Sequence, residues 1–164
     1  MLIIICGLPG SGKTTLARAL SNKLKAVHIS SDIVRKRMFT RPGYGEEEKR
    51  AVYGEMEAEA SGALGEGKTV VVDATFYQGA LRERFMKIAE NNGRKAALVL
   101  CVLAEEEVRR RLGRRKEGGP SDADFAIYLK MKESFEPIAG EHLVVESSHP
   151  LRRRIERIRK YIGV

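Results

Sequence analysis

The chain has 164 residues, is 43% hydrophobic and 32% charged, and carries a formal net charge of +8. These values suit one globular domain with a substantial core, here expected to span residues 1–164, and they exclude a disordered or collagen-like chain. Two cysteines, Cys6 and Cys101, both fall in expected strands and read as buried free thiols, and neither belongs to a cluster with zinc-site spacing.

The apolar run Leu2–Cys6 reads as a buried strand. It leads into Gly7 to Thr14, GLPGSGKT, which fits the phosphate-loop pattern of a glycine, four free positions and Gly-Lys-Ser/Thr. A helical pattern over Thr15–Leu24 follows, completing the strand–loop–helix context that the motif requires. Gly7, Gly10 and Gly12 let the backbone turn tightly and present N–H groups to an anion, and the helix start adds its positive dipole end. Lys13 is a point charge for the outer phosphates of a nucleoside triphosphate, and the Thr14 hydroxyl is placed to ligate Mg²⁺.

Further strands are expected at Ala26–Ser30, Thr69–Asp73, Ala96–Leu103 and His142–Val145. Further helices are expected at Asp32–Met38, Glu46–Gly65, Gln78–Asn91, Glu105–Arg115, Asp122–Glu133 and Leu151–Tyr161. Such alternation predicts an α/β fold, a parallel sheet covered by helices on both faces, with the ligand at the carboxyl ends of the strands.

Three strand ends carry candidate chemistry. The second strand ends in HISSD, where Asp32 can accept the proton of an acceptor hydroxyl attacking the terminal phosphate of ATP. The structural alternative makes Ser31 or Asp32 a helix N-cap. Arg35, one turn on, either holds an acceptor anion or pairs with Asp32. The third strand ends in Asp73, a carboxylate suited to the Mg²⁺ side of the site, with a cap on the following turn as the alternative. Thr75, Phe76 and Tyr77 then face the acceptor, with Tyr44, Lys49 and Arg50 as weaker contacts, whereas Tyr53, Met56, Ala60 and Leu64 read as a core stripe. The loop after the last strand, Ser147 to Pro150, is expected beside the nucleotide base.

Basic residues crowd the stretch from Arg109 to Lys116, and Gly118-Gly119-Pro120 then breaks the chain before Ser121, a candidate N-cap. Two helices on a glycine-rich hinge, at about 105–133, can close as a lid that excludes water and supplies arginines to the transferring phosphate. Arg111 and Arg115 share a helix face and are the candidates, with Arg114 in reserve; the alternative is an exposed helix laced by Glu–Arg pairs. The last segment, with Arg152, Arg153, Arg154, Arg157, Arg159 and Lys160 against Glu156, reads as a solvated amphipathic helix packed through Leu151, Ile155, Ile158 and Ile162. A nucleic-acid surface is the competing reading. The opening MLIIICG lacks the basic start and length of a signal peptide, and no apolar run reaches a membrane span, so a cytoplasmic location and no membrane partner are expected. No motif names a protein partner.

Together, the phosphate loop, HISSDIVR, VVVDATF and RRRLGRRKEGGPSDA resemble the small P-loop kinases grouped with the 5′-kinase domain of polynucleotide kinase, gluconate kinase and zeta-type toxins, and above all their predicted-kinase branch. The resemblance runs from about Met1 to Pro137, with the motifs in the family's order. It implies a five-stranded parallel sheet in the order 2-3-1-4-5, Mg²⁺-ATP as donor and a hydroxyl acceptor. It also implies that Gly7, Leu8, Pro9, Gly10, Ser11, Gly12, Lys13, Thr14 and Thr15 hold the phosphates, that Asp32 is the base and Arg35 an acceptor contact, that Asp73 lies near the metal, and that Arg111 and Arg115 are the lid arginines, with Arg115 the foremost phosphate contact. The acceptor stays open between a 5′-hydroxyl of RNA or DNA and a small metabolite. A nucleoside monophosphate kinase and a nucleotide-dependent switch or ATPase are the rival functions.

Overall fold

A computed structural model describes residues 1–114 and 124–164. Its element order is β1 (Leu2–Cys6), α1 (Lys13–Leu24), β2 (Val27–Ser30), α2 (Ser31–Met38), α3 (Glu46–Gly65), β3 (Val70–Asp73), α4 (Gly79–Asn91), β4 (Ala96–Val102), α5 (Glu105–Gly113), α6 (Phe125–Ser134), β5 (Leu143–Glu146) and α7 (Leu151–Ile162). The strands form one five-stranded sheet in the order β2-β3-β1-β4-β5, and every pairing is parallel. This is the expected P-loop architecture. Among the described residues, no helix is long and apolar enough to cross a membrane.

Parallel strands joined by helical crossovers are covered on both faces, so the central ones are apolar at every position. β1 is buried throughout. Its side chains alternate between two cores. Leu2, Ile4 and Cys6 join Val70 and Val72 under Val52, Met56, Leu64 and Phe85 of α3 and α4. Ile3 and Ile5 join Val71 and Val99 under Leu16, Leu20 and Ile158 of α1 and α7. A third cluster, Val108, Leu112 and Tyr128, joins α5 to α6 and packs on Leu8 of the loop after β1.

The amphipathic reading of α7 fits: Ile158 is buried, and Leu151, Ile155 and Ile162 pack beside it. Arg154 departs from that reading, being buried on the same helix. At α2 the N-cap is Ser30, which makes no side-chain capping bond, so neither Ser31 nor Asp32 serves as the cap. Asp32 instead lies inside the first turn, where a carboxylate is favoured by the helix dipole. Helix α6 begins at Phe125, capped by the Asp124 carboxylate accepting from the Ile127 amide at 2.9 Å. The proposed hinge Gly118-Gly119-Pro120 and the Ser121 cap lie outside the described residues.

Both cysteines are free and buried. Burial pushes the Cys6 thiol up to about 12, with Arg82 and Lys13 opposing, and the Cys101 thiol is raised for the same reason. Since the thiolate is the reactive form, native protein at neutral pH should leave an aromatic disulfide reagent unreacted and should release both thiols on denaturation. Rapid labelling before unfolding would contradict this packing.

Candidate active site

The register places the site. Asp73, last in β3, lies opposite Ile5 of β1 on one side and Ser30 of β2 on the other. The carboxyl ends of these strands therefore meet where the chain leaves β1 into Gly7 to Gly12. Gly7 has φ +141°, and a β-carbon there would lie 2.3 Å from the Cys101 carbonyl oxygen. Backbone strain and overpacking each cost about 1–3 kcal/mol. Gly7→Ala should therefore lower the melting temperature by roughly 5–20 °C in a thermal melt, and an unchanged melting point would contradict the loop geometry.

Helix α1 starts after Gly12, which has φ +87° and no side chain to cap the helix, and its first turn contains no acid. The first-turn amides are thus left for an external anion. The half-buried Lys13 lies back across the loop, its Nζ donating to the Leu8 carbonyl at 2.9 Å. Burial lowers the Lys13 ammonium from the ordinary lysine value, while the nearby charges of Asp73 and Asp32 oppose that shift. An anion at the loop would reinforce the charged form.

Thr14 Oγ1 donates to Asp73 Oδ1 at 2.8 Å. The other oxygen, Oδ2, is 2.6 Å from His28 Nε2. Asp73 is 2% exposed, so both of its oxygens are held by protein partners rather than by solvent. A hydroxyl and a carboxylate at the head of a phosphate loop are hard oxygen donors. They fit Mg²⁺, which takes one or two protein ligands beside substrate phosphates.

Lys13, Asp32, Arg35 and Asp73 line one cavity of about 230 Å³, together with Pro9, Ser31, Tyr44, Lys49, Tyr53, Thr75, Tyr77, Ile127, Lys130 and Met131. Four sequence candidates from three separate stretches therefore converge. Arg35 is 7% exposed, pairs with Glu48 of α3, and has its guanidinium 4.7 Å from the Tyr44 ring centroid. Thr75 and Tyr77 reach the cavity as expected, but Phe76 does not. Its ring is fully buried against Phe85 and Tyr53. Tyr53 belongs to the core and also to the cavity wall, its hydroxyl accepting from the Phe76 amide. Arg50 is exposed and does not line this cavity.

On the other side of the loop, Arg111 Nη2 donates to the Ser147 carbonyl at 3.4 Å, and a β-carbon on Gly12 would meet Arg111 Nη1 at 3.4 Å. Arg111 is thus beside the phosphate loop. Arg115 lies outside the described residues. Gly10 is pressed by α5, where a β-carbon would meet Val108 Cγ1 at 2.9 Å. Ser11 and Thr15 complete the loop and the first turn, Ser11 buried and Thr15 exposed.

A family model described as "AAA domain" matches residues 2–138. The chain belongs to that family. Among curated relatives is the uncharacterized protein Rv2004c of Mycobacterium tuberculosis (strain ATCC 25618 / H37Rv), 31% identical over 138 residues. That match covers 77% of this chain and 28% of the relative, so the chain spans less than a third of the relative's length. Solved structures agree on the fold. A putative kinase from Chloroflexus aurantiacus superposes with a TM-score of 0.75 at 19% identity, covering 99% of this chain and 95% of that one. The Mycobacterium tuberculosis APS kinase CysC, solved with AMPPNP and APS, gives 0.76 at 17% identity, with 99% and 97% covered. Kti12 of Chaetomium thermophilum, solved with ADP-AlF3, gives 0.74 at 22% identity, with 98% of both chains covered. The fold of this AAA-domain chain is that of the small P-loop kinases.

The contacts of four polar residues of this AAA-domain chain escaped the sequence reading. His28 sits in β2 and holds Asp73; its signal was a histidine two positions before Ser30 on an otherwise apolar strand. Ser147 was expected beside the nucleotide base, yet its buried hydroxyl donates to the Ser11 carbonyl of the phosphate loop and accepts from Arg154 Nη1 at 3.3 Å. Arg154 looked like one more charge of a solvated face. Only its register on α7, between the apolar positions Leu151 and Ile158, could have flagged it. Glu48, the partner of Arg35, carried no signal at all, because its contact depends on how α2 and α3 pack.

Proposed function

We propose that this chain forms one ATP-dependent kinase domain, with a lid at about 105–133, that transfers the terminal phosphoryl group to an alcohol. The observation that carries this reading is the shared cavity, in which Lys13 of the phosphate loop and the carboxylate of Asp32 face one space. A base beside the phosphate-binding lysine is what transfer to a hydroxyl needs and what a phosphate acceptor does not.

In this reading, the Gly7–Thr15 backbone, Lys13 and Thr14 hold the triphosphate. The acceptor hydroxyl lies against Asp32. Its oxygen forms the new bond to the terminal phosphorus as the bond from that phosphorus to the bridging oxygen breaks, and ADP leaves. The hydroxyl proton passes to the Asp32 carboxylate and then to water. Thr14, with Asp73 beside it, would hold Mg²⁺, which would supply neutralising charge on the phosphate oxygens. His28 and Thr14 keep Asp73 in one orientation for that purpose. Arg111, and Arg115 in the proposed lid, add positive charge where negative charge is carried by the transferring group. Arginines in such roles are worth about 10³–10⁵ in turnover.

The test is transfer of label from γ-labelled ATP to 5′-hydroxyl oligonucleotides, nucleosides, nucleoside monophosphates and sugars. Label on an alcohol, with little ATP loss in its absence, is the expected result. Steady ATP hydrolysis with no labelled acceptor would overturn the kinase reading in favour of a nucleotide switch.

A further inference from the structure

The cavity beside Asp32 holds more positive charge than the reaction requires. Lys13, Arg35, Lys49 and Lys130 line it against Asp32 and Asp73. Lys13 belongs to the triphosphate and Asp73 to the Thr14 side of the site. What is left is Arg35, Lys49 and Lys130 beside Asp32, with the Arg35 charge already met in part by Glu48.

These cations come from separate elements, Arg35 from α2, Lys49 from α3 and Lys130 from α6, so their convergence is a product of the fold. Arg35 is buried and its Nη1 is paired with Glu48, but its Nε has no hydrogen-bond partner among the described residues. A buried guanidinium N–H without a partner costs free energy that an incoming acceptor atom can recover. Lys49 is paired with Glu46, but that carboxylate is 73% exposed and 2.7 Å away on the helix surface, a solvated pair of little strength. Its Nζ also lies 5.7 Å from the Tyr77 ring centroid. Lys130 of α6 is exposed and lines the same cavity.

Size narrows the occupant further. At about 230 Å³ the cavity is smaller than the range of about 300–1,000 Å³ typical of drug-sized ligands. Sequence-tolerant binders of single strands present a long basic groove with successive aromatic platforms. Here Tyr53 is tied to the core by its contact with Phe76, and the tyrosines wall a single compartment.

We propose that the acceptor is a small anionic alcohol, a hydroxy-carboxylate or a phosphate monoester, whose charge is held by Arg35, Lys49 and Lys130 while its hydroxyl faces Asp32. This rests on the kinase reading above. Arg35 supplies a fixed donor fork, and the two lysines supply mobile point charges that tolerate either anion.

The experiment uses matched pairs that differ only in the anion, glycerate with glycerol and ribose 5-phosphate with ribose, beside a 5′-hydroxyl oligonucleotide. Each is tested with γ-labelled ATP and the full chain. The expected result is a kcat/KM at least roughly 10-fold higher for the anionic member of a pair. Which pair shows it separates carboxylate from phosphate. Lys130→Gln should raise KM for the anionic acceptor without moving KM for ATP. Lys132→Gln, on the same helix but paired with Glu105 and outside the cavity, should move neither. Equal use of the uncharged members, or preferential labelling of the oligonucleotide, overturns the anionic acceptor and leaves the kinase reading standing. Small-anion binding by thermal shift that Lys130→Gln removes, with no transfer to any acceptor, overturns the kinase reading and the acceptor proposal with it. Absence of both binding and labelling by the small anions overturns the acceptor proposal alone if another alcohol is labelled.

Discussion

Lys13→Ala is expected to abolish tight nucleotide binding and phosphoryl transfer together. The Lys13 ammonium lies against the loop carbonyl of Leu8 and beside the acidic groups of the site, so it is held at the phosphate loop. Removing one member of a buried charge pair costs about 2–5 kcal/mol, which is roughly 30-fold to several thousand-fold in affinity. The fold should survive, because Lys13 contributes no apolar surface to either core cluster beside the sheet. The measurements are nucleotide affinity by calorimetry and a thermal melt without nucleotide. Affinity within threefold of the parent protein would remove the loop from the mechanism, and with it the proposed function.

Asp32→Asn is expected to do something different. Asp32 lies in the first turn of α2, in the wall of the same cavity, and its substitution changes neither the α1 amides nor Thr14. Nucleotide affinity should therefore stay near that of the parent protein. Transfer should fall by about 10²–10⁴, the usual contribution of a general base. Asparagine keeps the size and the ability to accept a hydrogen bond, so the loss is chargeable to the proton acceptor rather than to packing. Single-turnover transfer, set beside an equilibrium titration with ATP, separates the two quantities. Unchanged transfer would show that Asp32 takes no proton. A parallel loss of nucleotide affinity would mean that its charge acts on the phosphate loop instead.

The contrast between these two residues shows what a linear reading can recognise. Lys13 was legible as a candidate because the motif that contains it is local. Gly7, Gly12, Lys13 and Thr14 act within a few residues of one another, and the conformation they need is written in the glycines themselves. Asp32 and Asp73 were legible for a related reason. Each stands at the end of an apolar strand, and parallel α/β sheets place ligands at those ends. The alternation of strands and helices likewise predicts the layers, because the periods of 2 and 3.6 are local properties of the chain. The five strands and their order agree with what the family resemblance implies.

Polar contacts between distant segments were not legible in this way. The bond between His28 and Asp73 spans 45 positions, and that between Ser147 and Ser11 spans 136. Such pairs carry no periodicity, and each side chain has an innocent local reading as a strand or loop residue. The same holds for Phe76. As a neighbour of Thr75 and Tyr77 it was expected at the acceptor, yet a positive φ of 50° turns its ring into the core under Tyr53 and Phe85. Arg154 was counted among the solvated charges of α7 until the helix was seated on the sheet, where its position faces Ser147. Motif, strand ends and layer order thus belong to short-range chemistry. Which cations share a cavity with Asp32, and which polar groups brace the phosphate loop, follows from how α2, α3, α6 and α7 pack, since burial and hydrogen bonding across a fold depend on distances in space that sequence separation does not encode.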